Sequence, residues 1–255
     1  MLKNAAAAGQ VSDELLLNDT LRLLSKWRSQ LIANTLIGRN GMTVQGGPFA
    51  GMAYVASQAE GSLAARLIGC YEGELHPHIQ AFVEDGIKTV VDIGCAEGYY
   101  AVGFARMIPD VVVHAYDTDP RARLICAELA AKNGVADRVK IGEEFQGEQF
   151  ADFDDGTLVI VDIEGGEVDL LDPGRFDGLR GLNLIVETHP GLRPGATDLL
   201  IDRFSPSHTV TKVEHALTAA TLPEWLRNGS HFDMILAAWE WRFTPTPWLV
   251  MRPRR

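Results

Sequence analysis

Two stretches of the 255-residue chain carry side chains whose types and spacing can do chemistry. The first, TVVDIGCAEGYYAVGFARM at 89–107, is an apolar run ending in Asp92, a turn Gly94-Cys95-Ala96-Glu97-Gly98, and then a helical pattern. Small residues in such a turn let a ligand approach the backbone at the carboxyl end of a strand. A dinucleotide fingerprint needs Gly at 94 and 96 and Gly or Ala at 99. Here 96 is Ala and 99 is Tyr, and no GxxxxGK[ST] occurs, which disfavours a pyrophosphate cradle. Asp92 and Glu97 flanking the turn would repel phosphates and suit a cationic ligand end. Asp117 follows 23 residues after Gly94, where a carboxylate can accept hydrogen bonds from both hydroxyls of a ribose. The two signals together describe a phosphate-free nucleoside with positive charge, as S-adenosylmethionine is.

The second stretch is LVIVDIEGGEVDLLDP at 158–173, with Asp162, Glu164 and Glu167 crowded at a strand's end. Crowding raises the pKa of at least one carboxyl, leaving it able to take a proton from an acceptor hydroxyl near neutrality. Glu187 and His189 close the next strand, LNLIVETH, and can face the same cleft. Glu164, Glu167 and His189 are the candidate bases, with Asp162 shared between cofactor and acceptor. Glu143, at the end of the third strand, is a candidate adenine-side contact. The same acids and histidine could instead hold a hard divalent cation that lowers the acceptor's pKa.

These residues need a scaffold, and the periodicity supplies one. IKTVVDI, VVVHAYD, RVKI, TLVIVDI and LNLIVET are near-continuous apolar runs alternating with helical stretches, the pattern of a parallel sheet covered on both faces. HTVTKVE and PWLVMRP complete an α/β, doubly wound, mostly parallel seven-stranded sheet over 85–255. Ahead of it, 1–84 reads as an N-terminal helical extension. Ser12 to about Ile37 is a predicted amphipathic helix with Leu17, Leu21, Leu24, Trp27 and Leu31 as its apolar face and Gly38 as its stop. Helical stretches follow near 57–69 and 72–84, the latter weakened by Pro77. The glycine-rich loop 39–55 could be a lid carrying Phe49, Met52 and Tyr54 over the acceptor, and the tryptophan-rich end from Trp239 to Trp248 reads as core.

The chain resembles the class I S-adenosylmethionine-dependent methyltransferases over roughly 85–215. Asp92, Gly94, Ala96 and Gly98 match that family's glycine-rich first motif, with Ala in place of its middle glycine, and Asp117 matches its ribose-binding acid. Asp162, Glu164, Gly165 and Glu167 look like the D-x-E-G-x-E signature of the FkbM-like subgroup, and CYEGEL before the first strand resembles that subgroup's lead-in. The resemblance implies a Rossmann-like fold, S-adenosylmethionine as cofactor, and O-methylation of a small molecule or saccharide. A noncatalytic nucleoside-binding regulator, or an enzyme making another transfer from the same cofactor, are the alternatives.

Acceptor and location can be narrowed further. A net charge of -11 poorly suits gripping nucleic-acid phosphate or an anionic membrane. No [DN]-P-P-[YF] follows the fourth strand, and none of Cys70, Cys95 and Cys126 follows a proline, which trims the amine and cytosine methylases. Three scattered cysteines without ligand spacing, no apolar leader and no membrane-length apolar run predict a cytoplasmic protein.

Overall fold

The computed structural model describes residues 12–55, 62–216 and 222–254. It begins with α1 (Asp13–Asn40), capped by the Ser12 hydroxyl, which accepts from the Leu15 amide at 3.2 Å. The expected stop at Gly38 is passed. A side chain there would meet nothing, and the helix ends instead at Gly41, whose positive φ of 72° closes it onto the Ile37 carbonyl. The face of α1 is also a correction. Leu17, Leu21, Leu24 and Trp27 are each more than half exposed, while Ser25, Ser29, Ile32, Ala33 and Leu36 are buried. The small residues win because they permit close approach to α2 (Leu63–Ile68), where the Ser29 and Ser62 hydroxyls lie 3.3 Å apart.

The loop 39–55, expected as a lid, packs onto the domain in this structure. Phe49, Met52 and Tyr54 are buried, and Phe49 packs edge-on against Tyr99 at 5.2 Å and Phe104 at 5.6 Å. Part of the stretch expected near 57–69 lies outside the described residues. Pro77 starts α3 (His76–Glu84) rather than weakening it, because a first-turn proline forfeits no helical hydrogen bond.

From here strands and helices alternate: β1 (Thr89–Ile93), α4 (Tyr99–Met107), β2 (Val112–Tyr116), α5 (Pro120–Lys132), β3 (Val139–Gly142), β4 (Leu158–Val161), α6 (Glu167–Leu170), β5 (Asn183–Glu187), α7 (Ala196–Phe204), β6 (His208–Val213), α8 (Glu224–Arg227), α9 (His231–Ala238) and β7 (Trp248–Pro253). The sheet runs β3-β2-β1-β4-β5-β7-β6. β1 to β5 are parallel, and β7 is antiparallel to both its neighbours. Successive residues of β1 and β4 feed opposite cores. Val90, Leu158 and Ile160 join the cluster that also contains α1 to α5, and Val91, Val159 and Val161 join the one that contains α6 and α7. Strand order reverses at β1, so the crevice beyond the carboxyl ends of β1 and β4 is where an open α/β sheet takes a ligand. Among the described residues no helix is long and apolar enough to cross a membrane.

Candidate functional site

After β1 the chain turns at Gly94, with φ 83°, and there a Cβ would stand 1.7 Å from the Asp162 carbonyl oxygen. Only glycine fits. The Gly94 and Cys95 amides donate to the Tyr116 carbonyl at 2.8 and 3.0 Å, tying the turn to the end of β2. Ala96 also takes a positive φ of 46°, and its amide donates to Asp117 Oδ2 at 2.9 Å. Asp117 Oδ1 accepts from the Asp119 amide at 2.8 Å. Each of these oxygens keeps a second lone pair, so Asp117 can brace the turn and still receive ligand hydroxyls. Asp117→Ala should therefore weaken nucleoside binding by about 1.5–3 kcal/mol, read by calorimetry; unchanged affinity would show that bracing is its whole role.

Gly94, Ala96, Asp117, Glu143 and Asp162 line a cleft of about 650 Å³, with Tyr116, Phe145 and Phe176 supplying aromatic wall. Glu143 is an exposed rim residue, 3.4 Å from Arg123. Three other predicted contacts stand behind the wall. Gly98 lets the start of α4 pass Cys126, whose Sγ would lie 2.7 Å from a Cβ. Glu97 is turned inward, wholly buried, with Arg66 at 3.2 Å and the Tyr54 hydroxyl donating at 2.6 Å. Its charge neutralises a buried guanidinium rather than facing a ligand.

Asp92 lies beneath the turn, with Oδ2 unpartnered among the described residues. Burial pushes its carboxyl up to about 7, the Ala101 amide opposing and Asp117 adding to the rise. The unfolded chain releases this proton near pH 4 and the folded one holds it to about 7, so the stability it confers is full below pH 4 and drains away as pH rises through that window. Asp92→Asn should flatten the pH dependence of urea unfolding and exceed the wild type at pH 8 by about 2–4 kcal/mol. Parallel pH profiles would count against a buried proton there.

A second cavity, of about 660 Å³, shares Asp162 and Glu164 with the first and is lined further by Tyr71, Glu187, His189, Trp241 and Lys26. At its floor His189 Nδ1 lies 2.8 Å from Glu167 Oε1, while Nε2 faces Glu164 at 3.5 Å, Asp162 at 3.6 Å and Glu187 at 3.8 Å. Glu167 starts the short α6 and is wholly buried; its Oε1 also accepts from the Ile163 and Gly165 amides. Burial pushes its carboxyl up, but the hydrogen bond and charge of His189, with those amides, hold it below the usual range. Glu167 thus stands behind His189, hydrogen-bonded to its Nδ1 and lining neither cavity. Glu164, at φ 51°, stays largely exposed on the opposite rim. Burial, together with repulsion from Glu187, drives the Asp162 carboxyl well above its ordinary value.

On the Glu187 side the cavity wall is a buried ionic cluster that local patterns did not single out as a group. Arg242 donates to Glu72 at 2.8 Å, to Glu240 at 2.9 Å and to Glu187. Burial lifts the Glu72 carboxyl to about 8; Arg242 pulls it down while Glu187 and Glu240 push it further up. Trp241, expected in the core, walls this second cavity at φ 69° with its Nε1 lacking a partner among the described residues. Of its members the sequence signalled Glu187, at the end of β5, and Glu72, through CYEGEL; Glu240 and Arg242 carried no signal.

No protein-family model matches the chain. A 54-residue segment is 37% identical to ribosomal protein L11 methyltransferase of Vibrio parahaemolyticus, covering 21% of this chain and 18% of that protein. The chain therefore aligns with less than a fifth of that relative's length. The O-methyltransferase from Bacillus cereus in complex with SAH superposes with a TM-score of 0.48 and 10% identity, over 71% of this chain and 80% of that one. Human methyltransferase 10 domain containing protein superposes with a TM-score of 0.51 and 11% identity, over 89% of this chain and 97% of that one. The fold is the Rossmann-like methyltransferase fold. In that frame the glycine turn after β1 and the acids after β2 and β4 occupy the switch-point crevice described above.

Proposed function

We propose that the protein is an S-adenosylmethionine-dependent methyltransferase, of FkbM-like kind, acting on an oxygen nucleophile of a small-molecule or saccharide acceptor. One observation carries this reading: a glycine-turn cleft with a free-lone-pair acid adjoins a second cavity across Asp162 and Glu164, and His189 Nε2 points into the second. When bound, the cofactor supplies a methyl group made electrophilic by its sulfonium. Gly94 lets the turn lie directly against the end of β4, which shapes the cleft floor, and Asp117, Glu143 and Glu164 along the cleft favour a cationic ligand end.

The acceptor's share of the work falls to His189. With Nδ1–H donating to Glu167, the Nε2 lone pair faces the cavity and can take the hydroxyl proton. Glu164 and Glu187 within 3.8 Å, with Glu167 on the other ring nitrogen, stabilise the imidazolium that results. With S-adenosylmethionine held in the first cleft, the acceptor oxygen would receive its methyl group and S-adenosylhomocysteine would carry away the electron pair of the carbon–sulfur bond. Beyond this the protein's contribution is to align the two partners.

A second reading has an observation of its own. Donor atoms of Asp162, Glu164 and His189 all lie within 4.8 Å of one another, and Asp162 Oδ1 has no hydrogen-bond partner among the described residues. Together with the Glu167 contact that orients the imidazole, this donor set fits a divalent ion that would lower an acceptor's pKa. Turnover unchanged by EDTA would remove that scheme. The primary test is incubation with labelled cofactor and cell extract. S-adenosylhomocysteine release with a product one methylene heavier supports methylation, whereas calorimetry showing NADH or ATP binding in place of the cofactor overturns it.

A further inference from the structure

Two cations of α1, one lining the second cavity and one a turn away, have no acid beside them among the described residues. Lys26 and Arg22 sit one turn apart on α1. The Lys26 ammonium lies 4.8 Å from the centroid of the Trp241 ring, and the Arg22 guanidinium 4.5 Å from that of Phe243. Arg22 also reaches the Trp241 carbonyl at 3.5 Å. The chain has 34 acidic and 23 basic residues, so acids are in surplus. Arg28, on the same helix, finds Asp233 at 2.7 Å. Among the described residues no carboxylate comes within ion-pair distance of Lys26 or Arg22, both of which rest on aromatic faces instead.

Lys26 lines the cavity whose far end holds Asp162, Glu164, Glu187 and His189. Arg242 also lines it but is already engaged by Glu72, Glu187 and Glu240, so the cavity is polarised, with proton acceptors where it meets the cofactor cleft and Lys26, a cation with no ion pair among the described residues, away from them. Trp241 forms the wall between, at a φ of 69° that a bulky residue rarely adopts. Backbone strain of this kind persists where surrounding contacts over-determine it, and it clusters at ligand clamps.

Resting on the methyltransferase reading, we infer that the acceptor is a hydroxylated small molecule bearing an anionic group, carboxylate or phosphate, which Lys26 receives while the hydroxyl lies at His189. The polarity sets the direction of entry. An anion placed at the floor would meet three carboxyl groups, whereas at Lys26 it meets an ammonium that has only a ring to leave. A cavity of about 660 Å³ holds a small molecule or a single sugar unit.

The test uses matched pairs of probes, 4-hydroxybenzoate against 4-hydroxybenzyl alcohol and glucose 6-phosphate against glucose. Their binding is followed by ligand-observed NMR with and without S-adenosylhomocysteine. The wild type should bind at least one anionic member about tenfold more tightly than its neutral counterpart, and the preferred pair tells carboxylate from phosphate. Lys26→Gln should abolish that preference, leaving the neutral probe and S-adenosylhomocysteine affinities unchanged, and Lys26→Arg should restore it. Added salt should weaken only the anionic probes. No preference in either pair, including no binding at all, overturns the inference, and so does a preference that survives in Lys26→Gln. Failure of S-adenosylhomocysteine to bind would instead strike the methyltransferase reading, while the cofactor-free titrations still decide this one.

Discussion

Replacing His189 with alanine should lower turnover by about two to four orders of magnitude while cofactor affinity stays within about threefold. The side chain sits at the end of β5 with Nε2 in the acceptor cavity, and among the described residues no other group there has a neutral lone pair held by a buried partner. Burial pulls its pKa down, but the Glu167 hydrogen bond and the charges of Glu187, Glu167 and Glu164 more than compensate, raising it above 6.5. A base must be unprotonated to work, so kcat/KM should climb with pH through a value above 6.5 and level off beyond it. Glu167→Gln removes the first-named support and should move that rising limb to lower pH while reducing the plateau. Full activity in His189→Ala would transfer the proton-accepting role to Glu164 or to a bound metal ion. A rising limb that stays in place in Glu167→Gln would mean that the pair does not titrate as one unit.

Gly94→Ala should cost more than about 4 kcal/mol of stability and abolish nucleoside binding, a size confined to a few mechanisms. Two penalties coincide. The φ of 83° is unfavourable for any residue with a Cβ, and that Cβ would stand 1.7 Å from the Asp162 carbonyl oxygen. This carbonyl belongs to backbone at the end of β4, paired in register with β1 through Ile93 and Val161, so it cannot withdraw without parting the two strands. Gly134→Ala is the control. Gly134 has a positive φ of 67° but nothing within 4 Å of a Cβ, so its replacement should cost only about 1 kcal/mol of backbone strain. Denaturant unfolding of both variants checks the difference; equal losses would show that φ alone, not the close approach to β4, makes Gly94 indispensable.

Much of the scaffold was legible because its signals are local. β1, β4 and β5 are buried on both faces and so read as unbroken apolar runs, and Asp119-Pro120 and Asn133-Gly134 bracket α5 at its two ends. Asp117 could be placed by its distance from Gly94 because one α/β turn sets that separation. α1 was misread for the opposite reason. Its leucines form a periodic stripe, yet which face a helix buries depends on the partner, and α2 admits the serine and alanine side. The loop 39–55 has the composition of a mobile segment, but Gly103 opens a space on α4 in which Phe49 sits, a Cβ there falling 2.6 Å from the ring.

By itself the sequence determined the order of strands and helices, the turn that needs glycine, and the acids gathered at strand ends. Each follows from residues near one another along the chain, where backbone sterics and hydrophobic period act directly. Only the tertiary structure decided which of those acids face the cleft. It turned Glu97 inward to Arg66, set Glu167 behind His189, and brought Glu72, Glu187 and the Glu240–Arg242 pair together from three separate segments. A buried charge must find its counter-charge wherever packing leaves one, and that partner is chosen by the fold's geometry rather than by spacing along the chain.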